Sequence, residues 1–269
     1  MVSLVSILAA ASLLPGFTPY ASGPAGGSVQ TGVFPGEQRP GFVYLPPGFS
    51  AARRYPVVYL LHGMPGSPSE YLVGTNLASW ADTEIGEGAI KPFIAVLPAA
   101  GPRPQYNGEW AGAIAAPLVQ QIVPWVDAQL PTIAAPRGRV LAGLSAGGFG
   151  AVDIGLRHPG LFGAIEAWSA YFSPLHDGPF KHAPPAVLSA NDPTRLVRAL
   201  APVLRRDRTR FFLSTGPGHS HWFKPEQTLA FARELRNLGV TASYHAYANA
   251  SGEWRAQFDT GLAWALRTR

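Results

Sequence analysis

The sequence contains no cysteine, and its 269 residues include only two methionines and three lysines. The lack of cysteine excludes disulfide bonds, metal sites built on thiolates and a cysteine nucleophile. No HExxH motif or comparable ligand spacing indicates a zinc site, so we predict no metal. Serine hydroxyls and seven histidines are the first candidates for nucleophilic chemistry.

No charged side chain precedes Glu37. The stretch from Val2 to Leu14 is apolar, and a linker rich in proline, glycine, serine and alanine follows it. About 13 apolar residues are too few to cross a bilayer but match the apolar core of a secretory signal or the end of a membrane anchor. We therefore expect an extracytoplasmic protein, secreted or membrane-anchored, with this segment and linker at residues 1–27 and one domain at 28–269. A buried N-terminal helix is the alternative.

The formal net charge is +5, and the only dense basic cluster is "RRDRTR" at residues 205–210. No aromatic residues alternate with these arginines as they do in many nucleic-acid-binding surfaces. We interpret the cluster as a solvated face and predict no nucleic-acid partner, while attraction to an anionic envelope or acidic polymer stays open.

Short apolar runs alternate with helical patterns along most of the chain. After a predicted hairpin of "SVQTGVF" and "GFVYLPP", six runs rich in β-branched or aromatic residues are typical of strands buried on both faces of a parallel sheet. They are "YPVVYLLHG", "PFIAVLPAA", "RGRVLAGLS", "LFGAIEAWSA", "TRFFLSTGPG" and "VTASYHAYA". Helices are predicted at about 71–87, 117–130, 146–157, 226–238 and 252–267. The pattern predicts a three-layer α/β/α sandwich with a mostly parallel central sheet and its site at the carboxyl ends of the strands.

The stretch "GLSAG" at 143–147 places Ser145 between a strand and a helix. Glycines two positions on either side relieve crowding in a nucleophile elbow, the sharp turn that exposes a reactive serine. In such a turn the N–H of Ala146, at a helix N-terminus, faces the substrate oxyanion. The alternative is a glycine-rich packing turn without chemistry.

A second oxyanion donor should come from "LLHGMPG" at 60–66, where Pro65 has no N–H and Met64 is therefore the candidate. His62 ends a buried strand, so we interpret it as a brace for this loop. In "QYNGEWAG" at 105–112, Glu109 and Trp110 follow a strand in a glycine-rich loop, where they either contact substrate or form an ordinary surface loop.

Several segments resemble the esterase D, feruloyl esterase and antigen 85 mycolyltransferase branch of the α/β hydrolases over about residues 28–267. The most specific are "GFVYLPPGFSAARRYPVVYLLHGMPGS" and "GLSAGGFGAVDIGLRHPGLFGAIEAWSAYF". The resemblance implies a Ser-His-acid triad, acyl transfer to water or a sugar hydroxyl, and no cofactor. By position Ser145 would be the nucleophile, with Met64 and Ala146 forming the oxyanion hole.

The other two triad members do not follow the family's pattern. The resemblance places the acid after "TRFFLSTG", where this chain has His219 in "GPGHSHW", and the histidine after the last strand, where it has "NASGEW". In one reading the triad is exchanged, with His219 or His221 as base and Glu253 as acid, because the chemistry needs geometry and not chain order. In a second reading His245 reaches inward from the last strand, although a packed or surface histidine is favoured there. Asp177 is a spare acid.

A third reading is a degenerate hydrolase that keeps the fold and the serine but binds a carbohydrate or acyl ligand, or has a structural role. Next to the histidines, Trp222 is predicted to form a pocket wall that holds a sugar or acyl chain, and Trp110 is predicted to bind substrate at the edge of the site. We favour a serine esterase or acyltransferase acting through an acyl-enzyme on Ser145, with a small-molecule or glycan-linked ester as substrate and with possible association with a membrane or cell envelope.

Overall fold

The structure is a computed structural model that describes residues 14–102, 106–217, 224–248 and 253–268. Its centre is a nine-stranded sheet in the order β1-β2-β3-β5-β4-β6-β7-β8-β9. The first three strands are antiparallel, and the six from β5 to β9 in that order run parallel. The strands are β1 (Phe17–Ser22), β2 (Ser28–Val33), β3 (Pro40–Leu45), β4 (Val57–Leu61), β5 (Ile94–Leu97), β6 (Arg139–Leu144), β7 (Ala164–Trp168), β8 (Arg210–Thr215) and β9 (Thr241–Ala246).

Helices cover both faces of the sheet. They are α1 (Ser69–Val73), α2 (Leu77–Gly86), α3 (Gly112–Pro117), α4 (Val123–Gln129), α5 (Ala146–Arg157), α6 (Pro185–Ala190), α7 (Pro193–Arg206), α8 (Pro225–Asn237) and α9 (Glu253–Leu266). A π-helical turn at Leu118–Ile122 joins α3 to α4. Strand β4 shows why three layers form: Val57 and Tyr59 point into the core under α4, α5, α7 and α8, while Val58 and Leu60 point into the core under α2 and α9.

The predicted fold class is confirmed. All eight predicted strands are present, and the helix predicted at 146–157 has the bounds of α5. The helix predicted at 71–87 is in fact two, because Asn76 between α1 and α2 adopts a left-handed conformation (φ 58°) that a helix cannot continue through.

Two helices were missed between β7 and β8. Helix α7 begins at a signal that the sequence does carry, because Asp192 accepts a hydrogen bond from the N–H of Thr194 (2.9 Å) ahead of Pro193 in the first turn. Its buried residues Val197, Ala201 and Leu204 recur at helical spacing.

Strand β1 lies inside residues 1–27, which we predicted as an apolar segment and linker, and it pairs with β2. Phe17 is buried against Trp125 (ring centroids 5.5 Å apart) and Phe34 (5.1 Å), whereas the remaining residues of β1 are exposed. An edge strand with one buried side chain has no alternating pattern, so the sequence gives no periodic signal for it.

The predicted signal or anchor at Val2 to Leu14 lies outside the described residues except for Leu14, which is buried. Within the residues that the structure does describe, none of the helices has the length and apolar character needed to span a membrane.

Candidate active site

Ser145 occupies a strained turn between β6 and α5. Its backbone has φ 55° and ψ −118°, a conformation that residues with a side chain seldom adopt. The turn is held on both sides, because the N–H of Ser145 donates to the carbonyl of Trp168 (2.8 Å) and its carbonyl accepts from Phe149 (2.9 Å). The side chain is half-buried at the carboxyl edge of the sheet. This is the geometry expected of a nucleophile elbow.

Two flanking glycines permit that turn. A Cβ on Gly147 would lie 1.9 Å from the carbonyl oxygen of Leu61 at the end of β4, and one on Gly143 would lie 2.3 Å from the backbone of Gly147. Neither contact is compatible with a larger residue unless the backbone shifts. The glycines therefore let α5 start directly against the ends of β4 and β6.

The loop after β4 lies beside the serine. A Cβ on Gly63 would be 3.5 Å from the Cβ of Ser145, so the predicted oxyanion loop is adjacent to the predicted nucleophile. Within the described chain, the N–H of Met64 donates to no acceptor. Ala146 is the first residue of α5, where N–H groups have no helical partner. Both predicted donors thus flank Ser145.

His62 braces this loop, as predicted. Its ring is fully buried, with Nδ1 2.8 Å from the carbonyl oxygen of Gly63 and Nε2 accepting from the N–H of Ala100 (3.4 Å). These contacts correspond to the neutral tautomer with its proton on Nδ1. Burial lowers the pKa of His62 to about 4, so the ring stays uncharged at neutral pH and neither nitrogen is available as a base.

Trp110, for which we predicted a substrate contact, is buried, and the segment that carries it is not a surface loop. The Trp110 side chain is 1% exposed, and its indole N–H donates to the carbonyl of His62 (2.9 Å). A Cβ on Gly150 would lie 2.3 Å from the Cβ of Trp110, so the residue is packed tightly on α5. Trp110 therefore fixes the end of β4 relative to the helix that begins at Ser145.

Glu109 and Asp177 form a buried carboxyl pair beside this brace. Glu109 is fully buried; its Oε1 accepts from the N–H of Leu175 (2.6 Å), while Oε2 and the Oδ1 of Asp177 lack a donor among the described groups. Burial, followed by the repulsion of Asp177, raises the pKa of Glu109 to about 9. A proton on Glu109 supplies the donor that the pair lacks. Asp177, the spare acid of the sequence analysis, is thus engaged with Glu109.

An apolar cluster lies next to the oxyanion loop. Ala146, Phe149 and Tyr171 are buried in it, and the rings of Phe149 and Tyr171 stack with centroids 5.1 Å apart. Phe180 joins them from the segment after β7, and the partly buried Met64 packs against the cluster. Phe149, Tyr171 and Phe180 are themselves buried, so apolar surface is left only by partly buried neighbours of the cluster such as Met64.

The candidate base and acid residues lie mostly outside the described chain. His219, His221 and Trp222 fall between residues 217 and 224, and of Glu253 only the backbone, as the first residue of α9, is described. His245 is exposed on the edge strand β9, with its ring 4.4 Å from that of Tyr247. This position agrees with the reading of His245 as a surface histidine.

Sequence reasoning missed a polar network beneath the serine. Ser214 at the end of β8 donates to Oε1 of Gln257 (2.7 Å), and Nε2 of Gln257 donates to the hydroxyl of Ser169 (2.8 Å). Ser169 has φ 46° and directly follows the Trp168 carbonyl that holds Ser145. The network ties α9 to the strand ends, and no sequence signal marks Gln257, which lies between Arg255 and Asp259 in α9.

Across the described ranges, no three histidine, aspartate or glutamate side chains are grouped as a metal site would need.

Comparison with known proteins agrees with this geometry. The model of the Esterase family, described as "Putative esterase", matches residues 33–265. Esterase Rv1288 of Mycobacterium tuberculosis is 27% identical over 238 residues, which cover 76% of this chain and 50% of the relative. The chain therefore spans about half the length of this curated relative.

Solved structures share the fold. A ferulic acid esterase superimposes with a TM-score of 0.71 at 22% identity, covering 93% of this chain and 96% of the other. A feruloyl esterase module from Clostridium thermocellum, complexed with sinapinate, gives a TM-score of 0.63 at 15% identity, covering 94% of each chain. These likenesses confirm the α/β-hydrolase fold over nearly the whole chain.

Proposed function

The chain belongs to the Esterase family, and we propose that it is a carboxylic ester hydrolase that forms an acyl-enzyme on Ser145. The observation that carries the proposal is the strained backbone of Ser145 at the start of α5, with the loop of Gly63 and Met64 beside it. Strain of this kind is retained where the surrounding structure fixes a reactive group.

In the proposed reaction the Ser145 hydroxyl attacks the ester carbonyl as a base removes its proton. The oxyanion that forms accepts hydrogen bonds from the N–H groups of Met64 and Ala146. The alcohol leaves with the proton from the base, and water then attacks the acyl-enzyme to release the acid and free Ser145. A sugar hydroxyl in place of water would make the same intermediate an acyl donor.

We propose His219, or its neighbour His221, as the base and Glu253 as the acid that orients it. Strands β8 and β9 are parallel neighbours, so their carboxyl ends reach the same edge as the end of β6. His219 follows the last residue of β8 by four positions, and Glu253 is the first residue of α9 after β9. Each side chain thus comes from a segment that leaves the sheet at the serine's edge.

The proposed acyl group is apolar, with an aromatic acid as the leading candidate. Phe149 and Tyr171 are buried behind Ala146 in an aromatic cluster, and the partly buried Met64 that packs against this cluster offers an apolar surface for the acyl group. The feruloyl esterase module complexed with sinapinate has the same fold. Trp222, three residues before helix α8 begins at Pro225, remains a predicted pocket wall.

Labelling with a fluorophosphonate tests the nucleophile. We expect a covalent adduct that maps to Ser145, and we expect Ser145→Ala to lose both labelling and hydrolysis of a nitrophenyl ester. Ser50→Ala, distant from the carboxyl edge of the sheet, is the matched control and should keep both. Absence of an adduct on Ser145 in the folded protein would refute the enzyme proposal and favour a degenerate hydrolase that only binds its ligand.

Substitution of the candidate histidines tests the exchanged triad. His219→Ala or His221→Ala should lower kcat by at least roughly a hundredfold, the low end for loss of a general base. Glu253→Gln should lower it as well, while His245→Ala, on the exposed edge strand, should not. If only His245→Ala abolishes turnover, the exchanged triad is wrong although the esterase proposal stands.

A further inference from the structure

A large cavity lies at the end of the sheet opposite Ser145. Its volume is about 910 Å³, and the starts of strands β6, β7 and β8 and the end of α9 form its walls. Strand β6 separates the two sites, since its first residue, Arg139, lines the cavity and its last, Leu144, precedes Ser145. Six residues at about 3.3 Å each make this separation about 20 Å. The volume is in the range of small-molecule sites.

The cavity walls are strongly basic. One carboxylate, Asp207, lines them together with six cations, a balance of +5 that equals the formal net charge of the whole chain. The cations are Lys91, Arg137, Arg139, Arg208, Arg210 and Arg267. Asp207 binds Arg206 outside the cavity (2.8 Å), so it compensates none of the six directly. The positive potential is thus concentrated on one concave surface.

Two of these arginines are fixed in place. Arg139 is paired with Asp127 (2.5 Å), and the guanidinium of Arg210 lies 4.6 Å from the ring centroid of Trp264. Around them Lys91, Arg137, Arg208 and Arg267 are exposed, and no carboxylate in the described part of the chain forms a salt bridge with these four. Two arginines of the cavity wall are thus held by contacts, whereas the four exposed cations at its rim have no carboxylate partner among the described residues.

Arg208 occupies a backbone position that favours glycine. It follows the end of α7 with φ 54°, and the N–H of the next residue, Thr209, bonds back to the carbonyl of Leu204 (2.9 Å). This is the helix-terminating turn in which glycine is the usual residue and a side chain costs about 1 kcal/mol. The fold gains nothing from arginine at this position, whereas the cavity gains a cation.

We propose that this cavity binds a compact multivalent anion that carries phosphate groups. Guanidinium groups bind phosphate oxygens in pairs, and several phosphates on one molecule would engage the rim from more than one side. The apolar floor of Trp264, Ile133 and Leu266 suits a small molecule with an apolar part. A concave site of this volume fits a compact ligand better than a nucleic-acid duplex, which needs an extended or protruding surface.

Calorimetry with inorganic tripolyphosphate is the first test, on the full chain at low ionic strength. We expect one binding site, and the triple variant Arg137→Gln/Arg208→Gln/Arg267→Gln should weaken the affinity at least roughly tenfold. The matched control is Arg195→Gln/Arg233→Gln/Arg255→Gln, which removes the same charge from exposed arginines that do not line the cavity. No binding by the wild type, or equal weakening in both variants, overturns the proposal.

Arg208→Gly separates binding from folding. Because glycine relieves the left-handed strain, this variant should unfold at a higher temperature than the wild type and yet bind tripolyphosphate less tightly. A variant that is more stable and binds equally well would contradict a role for Arg208 in the site.

A competition experiment with lipid vesicles identifies the source of the phosphate. Vesicles of phosphatidylcholine with phosphatidylglycerol that compete with tripolyphosphate, and fail to bind the triple variant, would indicate lipid headgroups as the source. Vesicles that do not compete would indicate a soluble phosphate compound. Binding of a DNA oligonucleotide or of vesicles without any binding of tripolyphosphate would refute a compact site.

Discussion

At the scale of single residues, two buried aromatic side chains position the loop after β4. His62 holds the carbonyl of Gly63 and the N–H of Ala100, and Trp110 donates to the carbonyl of His62. The two rings also meet edge to face, with centroids 5.2 Å apart. Since a buried carbonyl without a donor is costly, each of these contacts resists displacement of the loop beside Ser145.

Trp110→Phe tests this positioning role. The substitution leaves the buried carbonyl of His62 without its donor, so we expect a loss of about 1–3 kcal/mol in the free energy of unfolding. It should also lower kcat, because the neighbouring Met64 N–H would no longer be fixed, while KM for a nitrophenyl ester changes little. Urea unfolding and steady-state kinetics measure both.

Trp125→Phe is the matched control for this prediction. Trp125 packs on Phe17 and Phe34 but makes no indole hydrogen bond within the described chain, so its replacement should leave kcat unchanged. A raised KM in Trp110→Phe with normal stability would show instead that the side chain contacts substrate.

At the scale of elements, the strained turn at Ser145 depends on how closely helix α5 approaches the sheet. The helix is buried along almost its whole length and packs on β4, β6 and β7. Glycines supply the close contacts: Gly147 meets β4, and a Cβ on Gly155 would lie 2.4 Å from the side chain of Ile165 on β7. The reactive turn is therefore a product of helix and sheet packing.

Gly147→Ala should break this packing. The new Cβ would lie 1.9 Å from a backbone oxygen of β4, an overlap that no side-chain rotation relieves. We expect a loss of about 2–3 kcal/mol in unfolding free energy and a much slower reaction of Ser145 with a fluorophosphonate.

Gly86→Ala, at the end of α2, is the control, because a Cβ there meets nothing within 4 Å. Alanine is favoured over glycine in helices, so this variant should be as stable as the wild type or up to about 1 kcal/mol more stable. Equal effects of the two substitutions would mean that the contact with Leu61 does not control the elbow.

The sequence predicts the elements that are buried on both faces and fails where burial is one-sided or polar. Strands β4 to β8 are continuous apolar runs, and the elbow has its glycines at fixed spacing, so pattern alone finds them. Strand β1 buries only the ring of Phe17, so its sequence shows no alternation of apolar and polar residues. Burial of Glu109 depends on contacts between the segments after β5 and β7, which are far apart in sequence, and no local pattern carries that information.

At the scale of the whole molecule, four carboxyl groups of the described chain lie in places that favour their neutral form. Glu109, Asp153 and Glu166 are buried, and Glu37 is half-buried. Burial is the largest cause in each case: it raises the pKa of Asp153 to about 7, of Glu37 and Glu166 to about 8 and of Glu109 to about 9. In the unfolded chain these groups titrate near pH 4. Between these limits the folded protein holds protons that the unfolded chain has lost, and so unfolding releases protons.

The free energy of unfolding should therefore fall as the pH rises from about 5 to 9. Each such group contributes up to about 1.4 kcal/mol per pH unit, and the slope should be steepest between about pH 5 and 7, where all four are protonated only in the folded state. His62 acts in the opposite direction between about pH 4 and 6.5, because its lowered pKa makes protonation favour the unfolded chain. The effect of this one histidine on the pH dependence cancels that of about one carboxyl, so the free energy of unfolding still falls as the pH rises.

Urea unfolding at pH 5, 7 and 9 measures the decline, and Glu166→Gln locates part of it. The amide keeps an acceptor for the indole N–H of Trp168, which donates to Glu166 in the native protein (3.1 Å), but carries no titrating proton. In Glu166→Gln the free energy of unfolding should fall less steeply with pH than in the wild type, up to about pH 8. The control Glu87→Gln, at an exposed site, should leave the pH dependence unchanged. A free energy of unfolding that stays constant or rises from pH 5 to 9 would show that these carboxyls are ionised in the folded protein and paired by groups that offset their burial.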